Sequence, residues 1–265
     1  MTAIVVTRSY LEGQRRLIIA RALAASIAGL MPVPFLDDWA IEAVLGGGYR
    51  RVAAAHGVDV DDTALANLVH GKTPPPSLMD MAAGGIAHRL AGIAAKRMMI
   101  ALATVNRARA SARTFVTMTL FDHYCARLHT GGPLDARTAL ALRDEIAGAL
   151  AQTPGALSFH PFRRGALAAA RATLKAPLEL ADLATGGAIR RLLTRKAQSA
   201  EVTDPEVVDD VERALEASLE ADTGFLARAV AAVEVHLSAE GNPYIDRAIE
   251  ALDRRWRARV AAGIQ

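Results

Sequence analysis

The sequence predicts an all-α protein, and three observations predict it. Alanine and leucine recur through all 265 residues and aromatics make up only 5%, so small and aliphatic side chains on closely spaced helices replace the β-branched alternation of strands. A short element occurs twice, Asp80-Met-Ala-Ala-Gly84-Gly85-Ile-Ala-His-Arg89-Leu90 and Asp182-Leu-Ala-Thr-Gly186-Gly187-Ala-Ile-Arg-Arg191-Leu192, each copy behind a proline and a leucine. With a related Pro34-Phe-Leu36-Asp37-Asp38 followed by Gly46, Gly47 and Gly48, this echo points to one helical building block used more than once. Third, the end of the chain carries apolar stripes at helical spacing. The expected architecture is a multi-helix bundle: an apolar, basic helical domain over residues 1–200 containing the Gly-Gly pseudo-repeats, and a C-terminal amphipathic helical bundle over residues 201–265. The second can also pack on the first as one domain. At 52% hydrophobic residues, the chain can bury a substantial core.

The first helix is expected to begin near Ser9, where Ser9-Tyr-Leu-Glu12 has capping-box spacing, and to run to about Gly29. From Leu17 to Phe35 the only charge is Arg21. Pro32 and Pro34 interrupt this stretch too much for a transmembrane helix of about 20 apolar residues, but it suits a buried or shallowly inserted hairpin. Arg8, Glu12, Arg15 and Arg16 leave no compact signal-peptide pattern ahead of it. A second helix should start at Asp37-Asp38 and stop at His56-Gly57, with glycine as its C-terminal cap. A short helix after Asp61 and Asp62 ends near Gly71, and Lys72-Thr-Pro74-Pro75-Pro76-Ser77 is a linker.

From Ser77 to His129 no proline intervenes, so one very long helix competes with two helices broken near Asn106 to Ser111. Thr114 to Phe121, rich in threonine and aromatic residues, is the one place where a strand competes. Thr130-Gly131-Gly132-Pro133 breaks the chain and Asp135 caps the next helix, after which Pro154, Gly155, Pro161 and Pro177 punctuate. At the end, Thr203-Asp-Pro205-Glu206 combines a cap, a first-turn proline and a capping-box glutamate ahead of Val207, Val211, Leu215 and Leu219. Leu226, Val230, Val233 and Leu237 form a second stripe, and Ile245, Ile249, Leu252, Trp256 and Val260 a third after Gly241-Asn242-Pro243.

Gly84, Gly85, Gly186 and Gly187 lie inside helical sequence, where each glycine costs roughly 0.5–1 kcal/mol relative to alanine. Close approach of another helix is the expected compensation. Neither a dinucleotide-binding nor a P-loop fingerprint is present. Asp80 and Asp182 read as helix caps ahead of acid/base catalysts.

The formal net charge is only +3, with a sequence pI near 9.3, but the charges are segregated. Met81 to Phe121 contains no acid and carries Arg89, Lys96, Arg97, Arg107, Arg109 and Arg113, whereas Glu201 to Asp222 is strongly acidic. Such segregation can build a positive face for anionic lipid, nucleic acid or an acidic partner, or can simply supply solvated helix faces that pair within the fold. The positives are embedded among apolar residues, as at Lys96-Arg97-Met98-Met99-Ile100, which suits snorkelling toward lipid head groups; nucleic acid is not expected.

The best constellation for chemistry is Asp122-His123-Tyr124-Cys125-Ala-Arg127-Leu-His129. On a helix Asp122, Cys125 and His129 share one face, where thiolate, imidazole and carboxylate could hold a metal, with His88 or His160 as a further ligand supplied by the fold. Cysteine four residues before histidine also raises an activated nucleophile. The plainer account is a buried small thiol beside hydrogen-bonded or exposed histidines. As the sole cysteine, Cys125 excludes an intramolecular disulfide and fits a reducing compartment.

Pro32-Val-Pro34-Phe-Leu36-Asp37, followed by a helix ending Arg50-Arg51-Val-Ala-Ala-Ala-His56-Gly57-Val-Asp59, resembles the proline-rich, aspartate-containing hydrophobic hairpin of the EcsC-like bacterial proteins. It is also similar to a small hydrophobic domain attached to some bacterial GTPases. The likeness covers roughly residues 17 to 71. It implies a helical, membrane-associated protein and carries over no catalytic residue.

These readings converge on a non-enzymatic helical module, an assembly factor for example, that is peripherally associated with a membrane or bound to a hydrophobic partner. Leu30, Met31, Phe35, Arg89, Lys96, Arg97, Arg107 and Arg109 are its expected contact residues, and an anionic membrane surface or a hydrophobic or acidic protein its expected partner. Homo-oligomerisation stays open. The expected location is cytoplasmic, at the inner face of the membrane, with no cofactor and no metal. The alternative is a soluble helical enzyme or metal-binding protein using Asp122, Cys125 and His129.

Overall fold

The computed structural model describes residues 8–28, 36–71, 93–153, 155, 160, 162–163, 225–240 and 243–263, with side chains over most of them. These residues form seven α-helices and no strand, as the all-α reading expects. In chain order they are α1 (Glu12–Ala28), α2 (Leu36–Ala55), α3 (Asp62–His70), α4 (Ile93–Arg127), α5 (Ala136–Ala151), α6 (Phe225–Glu240) and α7 (Pro243–Ala261). The Gly-Gly echoes and the stripe from Val207 to Leu219 lie outside the described residues. No helix among the described residues is long and apolar enough to cross a membrane.

Local chemistry sets most of the boundaries. Asp61 accepts from the Ala64 amide at 2.5 Å and Asp135 from the Thr138 amide at 2.7 Å, which starts α3 and α5 on their expected aspartate caps. Gly57 (φ +69°) and Gly71 (φ +73°) end α2 and α3 in left-handed backbone. Val58 N–H closes back on Ala53 C=O at 3.0 Å beside Gly57. Ser9 is not a cap. It opens a single 3-10 turn, Ser9–Leu11, and its carbonyl accepts from the Glu12 amide where α1 begins.

Over residues 93–129, the described part of the stretch from Ser77 to His129, both open questions resolve toward helix. α4 runs unbroken for 35 residues, about 52 Å at the usual rise, through Asn106 to Ser111 and through Thr114 to Phe121. Ala108, Ser111 and Ala112 are buried, so this small-residue segment is a packing face, not a break. Thr119 Oγ1 donates to the Phe115 carbonyl one turn back at 2.8 Å, which satisfies the hydroxyl without leaving the helix.

α1 is the central post, packing against α2, α4 and α6. Ile18 through Ala25 are all buried, including Arg21, so the first part of the apolar run from Leu17 to Phe35 is core and not lipid-facing surface. Arg21 donates to the Val44 carbonyl of α2 at 3.1 Å. Beside it α2 comes close through glycine: a Cβ on Gly48 would lie 2.6 Å from Met118 Cε and 3.2 Å from Arg21 Cγ. Gly48→Leu is therefore expected to cost about 1–3 kcal/mol by overpacking, read as a lower urea midpoint. Gly48→Ala should cost far less, because Met118 Cε can swing aside and alanine improves helix propensity. An unchanged midpoint for the leucine variant would contradict close approach at this position.

The outer helices close the core. α6 packs on α1 through Val230, Val233 and Leu237, and α7 packs on α5 and α4 through Ile249, Leu252 and Trp256. The last member of that third stripe, Val260, departs from it and is 46% exposed. Tyr49 meets Phe121 edge-on at 5.0 Å, and Tyr124 meets Trp256 edge-on at 4.9 Å. α3 and α5 are tied by Arg143, which donates to the Asn67 and Leu68 carbonyls at the end of α3.

Candidate functional site

The segment singled out for chemistry, Asp122 to His129, occupies the last turn of α4 and the turn after it. It lies where α2, the N-terminal turn, α5 and α7 converge. Successive residues serve different neighbours. Asp122, fully buried, accepts from His56 Nε2 at 2.5 Å, joining α4 to the end of α2. Burial pushes the Asp122 carboxyl up, and the hydrogen bond and charge of His56 oppose that rise. Its second oxygen is buried without a hydrogen-bond partner among the described residues.

His123 is 2% exposed and bonded at both nitrogens: Tyr10 Oη lies 2.6 Å from Nδ1, and Nε2 lies 2.7 Å from Asp253 Oδ1. A neutral ring accepting from the tyrosine hydroxyl and donating to the carboxylate satisfies all three groups. Burial, the dominant cause, lowers the His123 pKa, with Arg8 and Arg127 adding to it against Asp253. The line continues outward: Arg8 pairs with Asp246 at 2.8 Å, and the Arg127 guanidinium lies 4.8 Å over the Tyr10 ring. The N-terminal turn is thus pinned to α4 and α7 by polar contacts, which accounts for Ser9 not serving as a cap.

The reactive reading does not assemble. Cys125 is buried, and its thiol is pushed far up, first by desolvation and then by the Asp122 charge, the reverse of an activated nucleophile. His129 follows the helix end, and its Nδ1 lies 3.4 Å from Tyr124 Oη. No group of three His, Cys, Asp or Glu side chains among the described residues could hold a metal ion. His160 is exposed, and His88 lies outside the described residues.

A second buried charge cluster was not anticipated from the sequence. Glu145 of α5 faces two guanidiniums of α7, Arg255 at 2.8 Å and Arg259 at 3.2 Å. Gly148 makes room for it, since a Cβ there would overlap the Arg255 guanidinium.

Of the expected contact residues, Arg109 is exposed on α4. Lys96, Arg97 and Arg107 fall on the backbone of the same helix, and their side chains lie outside the described residues. Leu30, Met31, Phe35, Arg89, Gly84, Gly85, Gly186 and Gly187 also lie outside them. Sequence reasoning missed Tyr10, His56, Glu145 and Asp253 as members of buried pairs. Asp253 did carry a signal, because it sits within the apolar stripe of Ile249, Leu252 and Trp256, where an acid needs a partner. Comparison with known proteins finds no matching family model, no matching curated protein and no matching solved structure.

Proposed function

We propose that this chain is a non-enzymatic helical module that docks peripherally on an anionic membrane surface. The observation that carries the reading is how α7 disposes its charges. Asp246 and Asp253 are paired with Arg8 and His123, while Arg254 and Arg257 are exposed. Arg109 and Arg113 of α4 are exposed as well, so across the described side chains of these two helices the exposed arginines outnumber the one exposed acid, Glu250. The resemblance of residues 17–71 to the EcsC-like hairpin supports the same reading. Because Ile18 to Ala25 are core, attraction by charge and not insertion of α1 is what holds the protein to the surface.

The experiment is sedimentation with vesicles of phosphatidylcholine alone or with phosphatidylglycerol added. Binding should favour the anionic vesicles and fall as salt rises, because screening limits surface charge to about 8 Å near physiological ionic strength. Equal binding to both vesicle types, or none to either, would overturn the membrane reading; salt-sensitive capture by an acidic protein without vesicle binding would replace it with a protein partner.

A further inference from the structure

Where the end of α4 turns into α5 beneath the last turns of α7, the described residues enclose a cavity of about 130 Å³ that opens to solvent beside Val260. Its walls include Tyr124, Leu134, Ala141 and Trp256, with His129 and Arg259 as polar groups. Three features define what it would hold. The volume is close to that of a cavity of about 150 Å³ that admits benzene, so one aromatic ring fits. Tyr124 and Trp256, set edge-on to each other, line it on one side, so an apolar ring meets aromatic carbon there. The charge is unbalanced: one carboxylate, Glu145, serves both Arg255 and Arg259, and Arg259 lines the cavity. A carboxylate is the natural complement to a guanidinium that shares one acid with a second arginine. The opposing charge nearby is Asp135. It is exposed to water, which screens it, and already accepts from the Thr138 amide.

We propose that this cavity is a binding site for a small aromatic monocarboxylate, with its ring against Trp256 and Tyr124 and its carboxylate on Arg259. The site is independent of the basic outer face and does not rest on the membrane reading.

Benzoate is the probe, and benzyl alcohol is its neutral counterpart of similar shape. The Trp39→Phe chain leaves Trp256 as the sole tryptophan, so its fluorescence reports on the cavity directly. Benzoate should give a saturable change with half-saturation on the order of millimolar, as suits so small a ligand. Benzyl alcohol should bind at least about tenfold more weakly, the share contributed by the charge-assisted contact. Arg259→Gln should abolish the preference for benzoate. Because Arg259 also braces Glu145, a second variant, Thr138→Leu, narrows the cavity from a partly exposed position and should eliminate binding of both compounds while the protein stays folded. Absence of saturable binding, equal binding of the two compounds, or benzoate binding that survives Thr138→Leu would each overturn the proposal.

Discussion

His56→Ala is expected to be the most damaging single substitution in the described fold. It leaves the fully buried Asp122 carboxylate without its one hydrogen-bond partner among the described residues, and stranding one member of a buried pair typically costs about 3–5 kcal/mol. The loss should depend on pH in a definite direction. Asp122 already has its carboxyl raised by burial, and removing His56 takes away the group that opposes that rise. A carboxyl raised in the folded state binds more protons folded than unfolded, so the variant should regain stability as pH falls through the raised folded value, until the unfolded chain also protonates near about 4. Adding Asp122→Asn should rescue much of the loss at neutral pH, giving a double variant more stable than His56→Ala alone. Urea midpoints across pH for the four proteins of the cycle decide it. A His56→Ala midpoint within error of wild type, or one that falls further in acid, would contradict the pairing.

Glu145→Ala should be the second largest effect. It leaves Arg255 and Arg259 side by side, both less than one third exposed, with no carboxylate between them. Their partial exposure lets water screen part of the repulsion, so the cost belongs at or below the lower end of the roughly 3–5 kcal/mol typical of broken buried pairs. Thermal unfolding should show it, and added salt should recover part of the difference by screening the two arginines. A melting temperature unchanged from wild type at low salt would contradict the bracing of α7 on α5.

What could be read in the sequence follows from the range of each interaction. Asp61, Asp135, Gly57 and Gly71 act within one turn of their own position, so composition and spacing revealed them. Thr114 to Phe121 looked equally suited to a strand because β-branched preference is weak. Burial of Val116, Leu120 and Phe121 along α4, with Thr119 bonded back one turn, decided the matter for helix. The cluster at Asp122 to His129 takes the plainer of the readings open to it, a buried thiol beside hydrogen-bonded histidines, but the partners of its polar groups were not legible in the sequence. Its partners are 66 residues away for Asp122 and 130 for His123, and no local pattern encodes such pairings. The apolar run after Leu17 was ambiguous for the same reason, since a helix buried on all sides has the same composition as one that meets lipid.

Docking through the outward arginines is tested most directly by the partition of wild type and an Arg254→Glu/Arg257→Glu variant onto phosphatidylglycerol-containing vesicles at low salt. Both positions are exposed, so the variant should fold with an unchanged melting temperature. At about 1 kcal/mol for each basic residue near an anionic surface, reversing two should weaken binding by at least about tenfold. Equal partition of the folded variant and wild type would contradict docking through this face.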